Sequence, residues 1–97
     1  MRTDKSAFEF EWNQGNIGKN KKHKVGDDEA EEVFLDEGKV VSRDNLHSQG
    51  EERFVILGRT KKDRLLYLAF TKRGKKIRII SARDINKREA YLYEETT

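Results

Sequence analysis

Two histidines, a dense set of cations and one strand-like segment ending in serine carry most of the chemistry open to this chain. His23 and His47 are its only histidines, and imidazole is the side chain whose ordinary pKa suits proton transfer near neutral pH. Arg78 and Arg83 lie in GKKIRIISARD, residues 74 to 84, and between Arg59 and Arg78 Asp63 is the only acid among nine cations. Guanidinium groups fork onto oxyanions and stabilise negative charge as it develops. The set therefore suits phosphate-ester chemistry, with Glu51 and Glu89 as carboxylate alternatives for the proton transfers. Asp27, Asp28, Glu29, Glu31 and Glu32 read as the solvated face of one helix rather than a magnesium site, so neither a metal nor a cofactor is expected. The bland readings are that lone histidines are mostly structural and that lysines keep sheet edges from pairing. On composition alone the two carry equal weight.

These groups must be positioned by local structure. AFEFEW, residues 7 to 12, alternates with period two and places Phe8, Phe10 and Trp12 on one strand face, in the core. Asn13 offers an N-cap to a polar helix over 14 to 22 that Gly15 and Gly18 weaken. Residues 27 to 35 form an amphipathic second helix with acids in its first turn. Strands follow from Val40, over Arg53 to Gly58, Leu65 to Phe70 and Ile77 to Ile80. Short charged turns join the last three into an antiparallel meander. Ser81 with Asp84 reads as a capping box opening a final helix, on which Ala82, Ile85, Glu89 and Leu92 share a face. Arg83 would then project from a helix N-terminus close to Arg78, an anion site. The expected fold is α+β: an antiparallel β-sheet flanked by two N-terminal helices and a C-terminal helix.

Ninety-seven residues make one small domain with room for only a shallow site. There is no cysteine, which removes disulfides and thiolate chemistry together. No stretch has the length of a membrane span or the apolar run of a signal peptide, so a cytoplasmic protein with no membrane contact is expected. Residues 1 to 49 carry 8 Lys+Arg against 11 Asp+Glu, while residues 50 to 97 carry 13 against 7. A one-signed field of that kind steers polyanions to the surface.

FEWNQGNIGKNKKHKVGDDEAEEVF, then HSQGEERFVILG, then IRIISAR followed by Glu89 and Tyr93, closely resembles the BrnT family of toxins from bacterial type II toxin-antitoxin systems. The similarity covers about residues 8 to 95. The resemblance implies a RelE-like fold and a ribonuclease that stops translation. It also implies a BrnA-type antitoxin with a ribbon-helix-helix domain, in a 2:2 complex that binds operator DNA through the antitoxin. Trp12, Asn20, Lys22 and His23 match the first motif, His47, Ser48, Gly50, Glu51 and Arg53 the second, and Arg78, Ile80, Ser81 and Arg83 the third. Asn13, Asn16 and Lys24 depart from the family pattern. Asn16 stands where a lysine is common, and Lys19 is the residue that would substitute for it.

RNA supplies its own nucleophile, the 2′-hydroxyl, so cleavage needs a base, an acid and cations. The catalytic candidates are Arg78, Arg83, His23, Glu51, Arg53, His47 and Glu89, with Arg78 and Arg83 on the scissile phosphate. Lys19, Lys22, Lys75, Lys76, Ser81 and Tyr93 are the candidates for holding RNA. Which group is base and which acid stays open, as does presentation of the RNA on the ribosome. A non-catalytic nucleic-acid-binding module with the same basic face is the alternative, and an acidic partner protein would also suit that face.

Overall fold

Runs of apolar residues build the centre of the molecule in a computed structural model that describes residues 8–96. The strands are β1 (Glu9–Phe10), β2 (Val40–Arg43), β3 (Arg53–Arg59), β4 (Leu65–Arg73) and β5 (Lys76–Asp84). Helix α1 (Asp27–Glu32) precedes β2, and α2 (Lys87–Thr96) follows β5. One five-stranded sheet has the order β1-β5-β4-β3-β2. The expected antiparallel pairing holds from β2 to β5. The sheet is nevertheless mixed, because β1 lies parallel to β5 with Phe10 opposite Ile77.

The chain leaves β1 along the outer edge of β5 and satisfies that edge as it goes. Glu11 N donates to Ile77 O at 2.8 Å, Asn16 Nδ2 to Ile79 O at 3.0 Å, and Asn20 Oδ1 accepts from Ala82 N at 2.9 Å. Both asparagines are buried, because they stand in for a neighbouring strand. Asn16 is thus an edge-pairing residue, and a solvent-seeking lysine could not replace it without losing that bond.

The helical expectations need two corrections. Residues 14 to 18 form turns, and only Lys19–His23 is helical, as a 3-10 segment entered through Gly18 at φ 67°. A left-handed glycine stops an α-helix from running through. Two α-helices are present where three were expected, and α1 runs on as a 3-10 turn, Val33–Leu35. Ser81 caps nothing: it sits within β5 opposite Ala69, and the ladder continues to Leu66 opposite Asp84. The cap belongs to Asn86, where Glu89 N donates to Asn86 Oδ1 at 2.8 Å and Asn86 N to Glu89 Oε1 at 3.0 Å. Extending β5 satisfies many backbone groups against β4, which outweighs one local cap.

The core fills one face of the sheet. Val25, Ala30, Val33 and Phe34 pack on Ile56, Leu66, Leu68, Phe70, Ile79 and Ala82, with Phe8, Phe10 and Trp12 against the cluster as expected. Phe34 meets Phe70 edge-on at 5.1 Å and Phe10 at 5.3 Å. Gly58 lets Val33 approach β3 closely, since a Cβ there would lie 2.6 Å from Val33 Cγ1. Helix α2 covers part of the opposite face: its cap Asn86 and its Arg88, Glu89 and Leu92 line a groove of about 580 Å³ with Val40, Ser42, Val55, Leu57 and Tyr67. The sheet is therefore flanked on both faces.

Candidate nucleic-acid interface on the open sheet face

Alternation along β4 defines the working surface. Leu66, Leu68 and Phe70 enter the core, so Tyr67, Ala69, Thr71 and Arg73 point the other way. Register extends this pattern in rows across β3, β4 and β5: Arg53, Thr71 and Arg78; Val55, Ala69 and Ser81; Leu57, Tyr67 and Arg83. Arg78 and Arg83 are five residues apart, which on a regular strand would send them to opposite faces. A bulge resolves this, because Ser81 opposes Ala69 and Ile79 opposes Phe70, leaving Ile80 as the extra residue. Both arginines thus reach one face, across a floor of the small residues Ala69 and Ser81.

The candidate residues fall at two ends of that floor, about 13 Å apart along β4. At the first end Arg53 begins β3 and makes no ion pair among the described residues. Arg78 is mostly covered, at 13% side-chain exposure, and loosely held: its Nη1 lies 3.4 Å from Glu11 Oε2 and 3.3 Å from Asn16 Oδ1. Gly15 leaves room for its guanidinium, with Arg78 Nη2 only 2.5 Å from where a Cβ would be. Arg73 donates to Glu11 at 3.1 Å and to Glu51 at 3.2 Å, so Glu51 is held in an ion pair. Lys76 precedes Arg78 on the same face, and Lys75 is exposed in the two-residue turn that Gly74 enters at φ 61°.

His47 lies in the β2–β3 connection beside this end. Its Nδ1 meets Asp44 Oδ2 at 2.8 Å, and its side chain is exposed. The loop is tied to β3: Asp44 N donates to Arg53 O at 2.8 Å, and Arg53 N to Ser48 Oγ at 3.0 Å. Asp44 was not anticipated, although its spacing of three from His47 was visible.

The second end is built around Arg83. Its Nη1 and Nη2 donate to Glu89 Oε1 and Oε2 at 2.9 and 2.8 Å, and Nη1 also reaches Asp84 O at 3.1 Å. Its guanidinium carbon lies 3.9 Å from the centre of the Tyr67 ring. The hydrogen bond from Arg83 holds the Glu89 carboxyl below the usual carboxylate range, and the same bond raises the Arg83 pKa. Burial pushes the Tyr67 hydroxyl up. Lys22, His23 and Lys24 form a shallow depression of about 440 Å³ with Arg83 and Asp84. Arg64 fixes that wall, donating to Lys24 O and Asp84 Oδ1 at 2.7 Å each and to Glu29 Oε1 at 2.9 Å. Lys19, at the start of the same 3-10 segment, is exposed.

Tyr93 stands apart from both ends. It is buried, and its hydroxyl donates to Asp36 Oδ2 at 2.7 Å, while Arg59 covers its ring at 5.6 Å. It pins α2 to the sheet and is not offered to solvent as an RNA contact. Tyr67, which sequence reasoning passed over, occupies the open face instead.

A sheet packed on one face and partly covered by α2 on the other, where Arg53, Arg78 and Arg83 stand around a floor of small residues, defines a small α+β protein. The description "Ribonuclease toxin, BrnT, of type II toxin-antitoxin system" belongs to the family model that matches residues 12–89. The chain belongs to the BrnT family, and is a ribonuclease toxin whose type II system implies a protein antitoxin as partner. Among curated proteins no match to the chain was found. The matched span holds every candidate site residue except Tyr93. Among the described residues no three acids or histidines are grouped as metal ligands would be, and no helix is long and apolar enough to cross a membrane.

Proposed function

We propose that the protein is an endoribonuclease that cleaves single-stranded RNA on the open sheet face without a metal ion, acts in the cytoplasm and so stops translation. The row Arg53, Thr71, Arg78 carries this reading: two guanidinium groups flank a buried threonine on one face, and neither is tightly paired. They receive the scissile phosphate and stabilise the charge that develops as the 2′-oxygen attacks and the 5′-oxygen leaves. His47 serves proton transfer, its ring oriented by Asp44 so that Nε2 meets the substrate. Lys75 and Lys76 hold the strand on one side, and Lys19, Lys22 and His23 on the other, with Ser81 between. A RelE-like kinship is part of the proposal and rests on the resemblance of the motifs.

Incubating the chain with RNA in EDTA tests the reading. Cleavage is expected from the wild type and not from an Arg53→Ala, Arg78→Ala protein. Binding without cleavage by the wild type would leave only a nucleic-acid-binding module.

The antitoxin in this proposal is BrnA-like, with a ribbon-helix-helix half that dimerises on operator DNA and a segment that covers the basic hairpins, giving a 2:2 complex. Light scattering of the co-purified complex reads the stoichiometry. Charge reversal at Lys75 and Lys76 is expected to weaken the complex most at low salt, and unchanged affinity there would place the contact elsewhere.

A further inference from the structure

The depression beside Arg83 has a chemistry that phosphate binding does not use. A guanidinium that clamps phosphate must offer its in-plane N–H groups. Three of the five on Arg83 are taken, two by the carboxylate of Glu89 and one by Asp84 O. Its charge is matched by Glu89, so little field is left for an anion. One face of its plane rests on Tyr67 at 3.9 Å. What remains, at 38% side-chain exposure, borders the depression shared with Lys22, His23, Lys24 and Asp84.

A planar group fixed at its rim and backed by an aromatic ring is a stacking surface. Bases of single-stranded RNA stack on arginine planes as they do on aromatic rings. We propose that the outer face of Arg83, stiffened by Tyr67 and Glu89, is the platform of a nucleobase subsite, with Lys22 and Lys24 reaching the phosphates that flank the stacked nucleotide. This rests on the reading that RNA lies along the open face. It moves Arg83 from the scissile phosphate, its expected place, to recognition of a nucleotide some 13 Å along the strand direction. The depression is shallow, but Lys22, His23, Lys24 and Asp84 stand at its border, so a purine and a pyrimidine would meet different edges. Base preference at one position is the result.

Stacking and phosphate binding respond differently to salt and to lysine. Binding of the full chain to single-stranded 2′-O-methyl RNA, which lacks the attacking hydroxyl, is measured by fluorescence anisotropy across a salt series. Arg83→Ala and Arg83→Lys are both expected to weaken binding roughly 5- to 100-fold, the range for one stacked base. The dependence on log salt should keep its wild-type slope. A phosphate clamp would instead leave Arg83→Lys near wild type and reduce the slope for Arg83→Ala by about 0.7, and that result overturns the proposal.

Because these variants remove or loosen the forked pair with Glu89, an abasic scan with the wild-type protein supplies a second reading. Deleting a base at one position should cost the same 5- to 100-fold, and loss spread evenly over all positions overturns the subsite. Cleavage of unmodified RNA by the same preparation shows separately whether the ribonuclease reading stands.

Discussion

The two ends of the open face contain similar residues in opposite electrostatic states. At the Arg53 end, Arg78 shares acceptors at 3.3 and 3.4 Å and Arg53 has no ion pair among the described residues, so cationic charge is available to a ligand. At the Arg83 end a forked pair of 2.8 and 2.9 Å with Glu89 neutralises the cation and fixes its plane. On the proposed reading one end receives charge and the other a base. The number of arginines on a surface therefore says less about phosphate binding than which carboxylates they already hold.

Removing charge at the available end should produce the largest effect. Arg78→Ala is expected to slow RNA cleavage about 100- to 1000-fold, the usual consequence of losing a group that stabilises transition-state charge, with folding monitored by circular dichroism. A rate within a fewfold of wild type would end the distinction between the two ends.

The neutralised end should matter more to stability. Glu89→Ala loses both the reciprocal cap of α2 and the forked pair, and is expected to cost about 1–2 kcal/mol in urea unfolding, allowing for solvent screening at this partly exposed site. The pair also gives stability a pH dependence. Glu89 and Asp84 have folded-state pKa values lowered by Arg83 and Arg64, so they bind protons more readily when unfolded. Their contribution is complete above the ordinary carboxylate pKa near 4 and is lost as pH falls through the lowered values. Glu89→Gln should flatten that acid limb, and an unchanged limb would show that the pair contributes nothing net.

A smaller effect is expected from Glu11→Gln, which releases an acceptor shared by Arg73 and Arg78. RNA affinity should rise a fewfold at low salt, about 1 kcal/mol or less, as for other weakly held ion pairs. Weaker binding would mean that Glu11 positions Arg78 rather than competing for it.

Much of this architecture was legible in the sequence, and the failures share a cause. Alternation located the strands and the aromatic core, whereas of the nine cations between Arg59 and Arg78 only Arg73, Lys76 and Arg78 reach the open face along β4 and β5. Ser81 was misread because a serine three residues before an acid satisfies the capping pattern whether or not a neighbouring strand claims it. Asn86 and Glu89 repeat that spacing and carry the cap. The bulge at Ile80 leaves no mark in period-two reasoning, so the shared face of Arg78 and Arg83 could not be derived from their separation. Tyr93 matched a family position but lies on the buried side of α2, and burial of that kind depends on long-range packing. Asn13 to Gly18 looked helical by capping and polarity, yet Asn16 takes its place from bonds to β5, 63 residues away.

The central claim, that the Arg53–Arg78 end does the chemistry and the Arg83 end holds a base, is tested most directly by single-turnover cleavage at saturating RNA in EDTA. Binding that contributes equally to ground and transition states is recovered at saturation, whereas stabilisation confined to the transition state is not. Arg78→Ala should remain about 100- to 1000-fold slow at any RNA concentration, while Arg83→Ala should return to within a fewfold of the wild-type rate. An Arg83→Ala protein as slow at saturation as Arg78→Ala would contradict the account, because both ends would then be acting on the same phosphate.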